Sequence, residues 1–133
     1  MRWSSSLFAS VGFLLAQAAS GACLNYEPQV VTIAGTIVVK VFAGPPNYES
    51  VAAGDAPERA YILQLAEPIC VSGQDFLKNG PLTDLRELQL VLPADAQLVP
   101  TARVRVKGTL FGRQTGHHRT PVLMHVIRFE RAT

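Results

Sequence analysis

The chain has 133 residues, 48% of them hydrophobic, two cysteines and a formal net charge of +2. That length holds one small domain and leaves no room for a multidomain arrangement. No internal repeat, low-complexity tract or linker interrupts it. The near-zero balance hides an asymmetry. From Cys23 to Ala102, four basic residues (Lys40, Arg59, Lys78, Arg86) stand against nine acidic ones. From Arg103 to Thr133 there are seven basic residues (Arg103, Arg105, Lys107, Arg113, Arg119, Arg128, Arg131) and one acidic, Glu130. Such segregation marks either an anion-binding surface or two halves of complementary charge packed together. The second needs no ligand and is the preferred reading.

The N-terminal segment has the three-part layout of a secretory signal. Arg2 is its positive residue, Leu7–Ala16 its apolar stretch, and Ser20-Gly21-Ala22 supplies small residues before a cleavage point. Residues 1–22 therefore read as a signal peptide and 23–133 as one exported domain, secreted or periplasmic, with no membrane span in the mature chain. In an oxidising compartment Cys23 pairs with Cys70, closing a loop of nearly fifty residues. The competing reading is a lipid anchor on Cys23, although Ser20 replaces the leucine-like residue usual three positions before a lipidated cysteine.

Val30–Phe42 alternates. Val31, Ile33, Gly35, Ile37, Val39 and Val41 fall on one side, with Thr32, Thr36 and Lys40 on the other. This predicts a long strand with one buried face, bent or bulged at Gly35. Gly44-Pro45-Pro46-Asn47-Tyr48 ends it and opens a loop to about Glu58 through the Gly54-Asp55 turn. A second strand is expected over Tyr61–Ala66, resuming after Pro68 at Ile69–Val71. Ser72–Asp84 reads as loop. Glu87–Leu92 is a third strand with Leu88, Leu90 and Leu92 inward, and Pro93–Thr101 a connector with room for a short helix. Arg103–Phe111 is a fourth strand, Val104, Val106 and Leu110 inside and Arg103, Arg105 and Lys107 outside. Pro121–Phe129 is a last strand, apolar on both faces and hence covered on both.

No segment of the mature chain has the period of a substantial helix. Five uneven strands, a long bent first one and a connector before the fourth predict an all-β fold, a small OB-like barrel. An open β-sandwich of the same strands is the alternative.

Two loops concentrate chemistry. Thr115-Gly116-His117-His118-Arg119-Thr120-Pro121, with His125 beyond it, collects imidazoles, the usual ligands of zinc and copper. His117, His118 and His125 are the candidate metal ligands, with Asp55 or Glu58 as a fourth. The plainer reading has these histidines bonding loop backbone. The other loop, Pro45–Ser50 with Gly54-Asp55 and Glu58, offers the aromatic Tyr48 and three carboxylates. Tyr48 suits a stacking platform, and the carboxylates suit turn capping better than glycoside chemistry. Gly-x-Ser-x-Gly, a phosphate loop and Cys-x-x-Cys are missing. Arg103, Arg105 and Lys107 could follow a polyanion, with polysaccharide, lipopolysaccharide or a protein partner expected outside the cytoplasm rather than nucleic acid; the plainer reading is a solvated face that discourages edge pairing.

Pro45-Pro46-Asn47-Tyr48-Glu49-Ser50, Gly54-Asp55, Pro68-Ile69-Cys70-Val71 and Thr115-Gly116-His117-His118-Arg119-Thr120-Pro121-Val122-Leu123 together resemble a family of small exported bacterial domains classed as a domain of unknown function. The resemblance runs from the first strand to the last. It implies a bacterial, exported, disulfide-containing domain with no established activity. In that family the histidine run often extends to a third histidine, where Arg119 stands here, a departure that counts against a metal site. Relatives sometimes accompany domains similar to secreted lysozyme inhibitors, which implies an envelope-defence or protein-binding role.

The reading is a non-enzymatic binding module of the cell envelope. Its surface combines the Gly44–Glu58 and Gly112–Thr120 loops: Tyr48 stacks, Asp55 and Glu58 accept hydrogen bonds, and His117, His118 and Arg119 donate or bind an anion. The alternatives are a zinc or copper protein, or metal-dependent hydrolase, built on His117 and His118, and an inhibitor of a cell-wall hydrolase such as lysozyme.

Overall fold

The computed structural model describes residues 22–73, 80–96, 98 and 100–132. The expected signal peptide, Ala22 apart, and Lys78 lie outside them. Among the described residues no helix is formed, and so none is long and apolar enough to cross a membrane.

The described residues form six strands in order: β1 (Leu24–Asn25), β2 (Val30–Ala43), β3 (Pro57–Ser72), β4 (Leu82–Val91), β5 (Arg103–Gly112) and β6 (Val122–Arg131). They form one sheet in the order β1-β3-β2-β5-β6-β4, and a further pairing of β3 with β4 closes a ring. The β4–β6 and β1–β3 pairings are parallel and the rest antiparallel. A ring of five strands with these senses is consistent with the expected small OB-like barrel. The two-residue β1 was not expected from the sequence. It lies beside the Cys23–Cys70 disulfide, which joins it to the far end of β3.

β2 does what its glycine implies. It pairs with β5 through Val30–Thr36 and with β3 through Gly35–Ala43, so the strand passes from one partner to the other at Gly35. A Cβ there would collide with the Gln64 carbonyl oxygen and stand 2.9 Å from Leu63 Cδ1. Only glycine permits so close an approach.

The core follows the alternation. Ile37, Leu63, Val71, Leu88, Val106, Leu110, Val122 and Met124 are fully buried and belong to one continuous cluster. Each large aliphatic side chain so buried contributes on the order of 2 kcal/mol. Ala60, Ile62, Phe111 and Leu123 are also buried but lie outside that cluster. Register explains them. Ile62 pairs with Gln89, Gln89 with Leu123 and Leu123 with Phe111, so these side chains share a row on the opposite face of the sheet.

Several expectations need correction. β3 begins at Pro57 and runs unbroken, which places Glu58 on a strand rather than in the loop. Pro68 does not interrupt it, because β2 pairs only as far as Leu65 and the β4 register slips between Gln64 and Ile69; no ladder bond is asked of its missing N–H. β4 starts at Leu82, inside the expected loop. The inner face of β2 ends at Ile37. Val39 is half-buried and Val41 is 61% exposed, because that end of the β2–β3 pair extends past the core. β6 is not covered on both faces: His125 is exposed, and Ile127 is the unpaired extra residue of a bulge opposite Lys107–Gly108. The Pro93–Thr101 connector holds turns and no helix among its described residues. The two charge halves are not generally paired. Of the described ion pairs only those to Glu58 join the basic segment to the acidic one.

Candidate functional site

The β2–β3 loop is held by its own acid. Asp55, buried apart from 5% of its surface, accepts hydrogen bonds from the amides of Asn47 (2.9 Å), Glu49 (2.8 Å) and Ser50 (2.9 Å). Those bonds, from Ser50, Glu49 and Asn47, hold its carboxyl below the usual aspartate range. At the base of the loop Gly44 N donates to the Ala56 carbonyl (2.7 Å) and Ala56 N to that of Pro45 (2.8 Å). Tyr48 N donates to the Gly44 carbonyl at 2.9 Å. Between the pinned amides of Asn47 and Glu49, Tyr48 has φ of 59°, a left-handed conformation that is costly for a bulky side chain.

The β5–β6 loop is held by His118 and Gln89. His118 Nδ1 accepts from the amides of Gln114 (2.9 Å) and Thr115 (3.3 Å), so this nitrogen carries no proton. Burial, with the positive fields of His117, His125 and Arg113, pushes the His118 pKa down. Gln89 reaches up from β4: its Nε2 donates to the His117 carbonyl at 3.1 Å and its Oε1 accepts from the Arg119 amide. Thr120, also buried, accepts from the Gln89 amide (2.9 Å) and donates to the Val122 carbonyl (2.6 Å). Held this way, the loop lies over the outer row that contains Ile62, Phe111 and Leu123, with the His118 ring edge-on to Phe111 at 5.5 Å.

The two loops meet. Glu58 Oε2 lies 2.8 Å from His117 Nδ1, and Glu58 Oε1 accepts from Arg119 Nη2 at 3.0 Å. Burial pushes the Glu58 carboxyl up, but the hydrogen bonds and charges of His117 and Arg119 outweigh it and leave the carboxyl below the usual glutamate range. Beside a carboxylate, His117 Nδ1 bears the proton; its Nε2 faces the Tyr48 hydroxyl at 3.3 Å. Tyr48 and His117 rings meet edge-on, 5.6 Å apart. Arg119, only 10% of its side chain exposed, also donates to the Ala43 carbonyl (3.0 Å) and lies over the rings of Phe42 (5.1 Å) and Tyr48 (5.5 Å). Gly116 completes the joint: a Cβ on it would stand 3.2 Å from Tyr48 Cζ.

Of the residues singled out in the sequence, Tyr48, Glu58, His117 and Arg119 are brought into one cluster. Asp55 stands behind it as a loop staple, and His118 faces away toward Phe111. The three histidines do not converge. His117 faces Glu58 and Tyr48, His118 caps two amides, and His125 stacks on Phe111 with centroids 4.0 Å apart. Among the described residues no group of three or more His, Cys, Asp or Glu is placed to hold a metal ion. Gln89, Phe42 and Thr120 were missed in the sequence. Gln89 carried a usable signal, as a polar residue between Leu88 and Leu90 in a strand otherwise read only for its leucines.

Chemically, the cluster is a carboxylate–imidazole–hydroxyl line, Glu58–His117–Tyr48, backed by a guanidinium. It fixes the orientation of the Tyr48 hydroxyl and leaves His117 more than half exposed beside it.

Residues 87–130 match a family described as a domain of unknown function (DUF4431). The matched segment contains Gln89, His117, His118 and Arg119, whereas Tyr48, Asp55 and Glu58 lie before it. No curated protein and no solved structure matches the chain.

Proposed function

We propose that this chain is a non-enzymatic binding module of the bacterial cell envelope, exported and disulfide-bonded, with its ligand surface at the joint of the β2–β3 and β5–β6 loops. The carrying observation is Tyr48: a bulky residue in a left-handed conformation, locked between two amides stapled to Asp55 and touching the opposite loop. Backbone strain of this kind persists only where the surroundings impose it, and it collects at ligand contacts. A locked loop also loses little entropy on binding. Tyr48 and His117 would then offer a hydroxyl and an imidazole side by side, with Glu58 and Arg119 fixing their orientation.

A second reading, inhibition of a cell-wall hydrolase, is favoured by the exposed tip Pro45, Pro46, Tyr48 and Val51 on that rigid loop. A rigid projecting loop is what an enzyme cleft accepts. The test is amide and ring chemical-shift mapping of the oxidised chain against soluble peptidoglycan fragments and, separately, lysozyme. Shifts centred on Tyr48 and His117 with the fragments support the first reading; a stable one-to-one lysozyme complex supports the second. If Tyr48→Ala and His117→Ala leave every detected binding unchanged, the joint is not the ligand surface.

A further inference from the structure

Away from the loop joint, the outer face of β2, β5 and β6 carries four of the basic residues, Arg103, Arg105, Lys107 and Arg128. Arg103, Arg105 and Lys107 occupy alternate positions of β5 and so point to the same side, about 7 Å apart along the strand. Register supplies their neighbours. Arg103 pairs with Thr36 of β2, Arg105 lies between Ala34 and Glu130, Lys107 between Thr32 and Arg128, and Thr109 between Val30 and His125. Arg103, Arg105 and Arg128 are exposed and Lys107 half-exposed.

The acids near this face are few. Glu130 is bonded to Arg128 at 3.1 Å, and Glu27 accepts from the Thr109 hydroxyl at 3.2 Å. None of the ion pairs among the described residues includes Arg103, Arg105 or Lys107. Lys107 stands directly opposite Arg128, a like-charge cross-strand pair that destabilises a sheet unless something neutralises it. Glu130 offsets Arg128, but no acid among the described residues is ion-paired with Lys107. The three cations of the row thus stand without an ion pair among the described residues, and their charge points outward.

We infer that this face binds an acidic polysaccharide, its carboxylates or phosphates lying along the Arg103–Arg105–Lys107 row. The row is straight, about 14 Å long, and flanked by the hydroxyls of Thr32, Thr36 and Thr109, which suit sugar hydroxyls as donors and acceptors. No Phe, Tyr or Trp stands among these positions to stack a base. Val30, at one edge, and Ile127, in the β6 bulge, are exposed aliphatics beside the row, so a lipid surface is included among the probes. This site is separate from the loop joint and does not rest on it.

The test is calorimetric titration of the oxidised full chain with polygalacturonate. Neutral dextran, a single-stranded oligodeoxynucleotide and phosphatidylglycerol vesicles are the comparison probes. Binding to polygalacturonate is expected to weaken at least tenfold when NaCl rises from about 20 to 200 mM, as release of about three counterions requires. The R103Q/R105Q/K107Q variant is expected to lose at least tenfold, R103K/R105K to stay within about threefold, and Tyr48→Ala to change nothing. Should the triple variant lose its fold, Arg105→Glu alone takes its place. Equal binding of dextran, an unaffected triple variant, or loss on Tyr48→Ala overturns the inference. So does binding of the oligonucleotide or the vesicles without polygalacturonate.

Discussion

Glu58 and His117, 59 residues apart in the chain, place a carboxylate oxygen and an imidazole nitrogen 2.8 Å from each other. The contact is possible because the first residues of β3 and of β6 both lie beside the C-terminal part of β4, where Gln89 pairs with Ile62 on one side and Leu123 on the other. Glu58 serves a second partner as well, the nearly buried guanidinium of Arg119.

Glu58→Gln is therefore expected to cost about 2–3 kcal/mol in urea unfolding, since it leaves the Arg119 charge without its counterion. The pH dependence has a definite sign. The folded-state pKa of Glu58 lies below the ordinary value of about 4.3, so its contribution is complete above that value and disappears as pH falls through the folded one. The variant's acid limb should be flatter than the parent's. An unchanged acid limb would separate Glu58 from the stability of the joint.

His118 gives a second pH response, in a higher range. Its Nδ1 must stay unprotonated to accept the Gln114 and Thr115 amides, and its pKa lies below the ordinary value of about 6.5. The stabilisation is complete above that value and fades as pH falls toward the folded one. Hydrogen exchange at Gln114 and Thr115 should accelerate across that window. His118→Asn, which keeps an acceptor near Nδ1, should remove the acceleration, whereas His118→Ala should cost about 1 kcal/mol at neutral pH. A ring that titrates at or above the ordinary value would sink this account.

The strands were legible because period-two patterning reports which face is buried, and it did so for Ile33, Ile37, Val104, Val106 and Leu110. It misled at Val41, whose position continues the inner face although the core has already ended. Nothing in the local sequence tells a strand where its partner stops. Loop chemistry was legible as residue types: Tyr48, Glu58, His117 and Arg119 were singled out and stand together. What each does was not legible, because the donors to Asp55 and His118 are loop amides whose directions depend on the folded backbone. Gln89 was hidden for a related reason. Its partners lie 28 and 30 residues away, reached only through the parallel pairing of β4 with β6.

Reduction of the Cys23–Cys70 disulfide, which spans 47 residues, should lower unfolding free energy by about 3–4 kcal/mol through the added freedom of the unfolded chain. Cys23→Ser/Cys70→Ser should match the reduced protein in urea unfolding. The loss should be felt first at β1, whose Leu24 and Asn25 pair only with Val71 and Ser72. An unchanged denaturation midpoint would show that the bond constrains nothing.

Zinc and copper titrations followed through the imidazole signals should resolve three independent responses. His117 competes with Glu58 and Tyr48, His118 with two amides, and His125 with Phe111. Metal that saturates all three rings together at one equivalent would require the β5–β6 loop to be rebuilt, and would restore the metal reading.

Tyr48 allows strain and contact to be measured apart. At φ of 59°, alanine retains the left-handed penalty and glycine does not. Both substitutions remove the ring, and with it the His117 hydrogen bond and the Arg119 contact. The difference between Tyr48→Gly and Tyr48→Ala therefore isolates the backbone term, expected to favour glycine by about 1 kcal/mol in urea unfolding. If Tyr48→Gly equals the parent in stability while binding at the joint disappears, the tyrosine is kept for what it touches and not for the fold. If Tyr48→Ala is instead the more stable of the two, the loop relaxes out of the left-handed conformation once the ring is gone, and the ring itself imposes the strain.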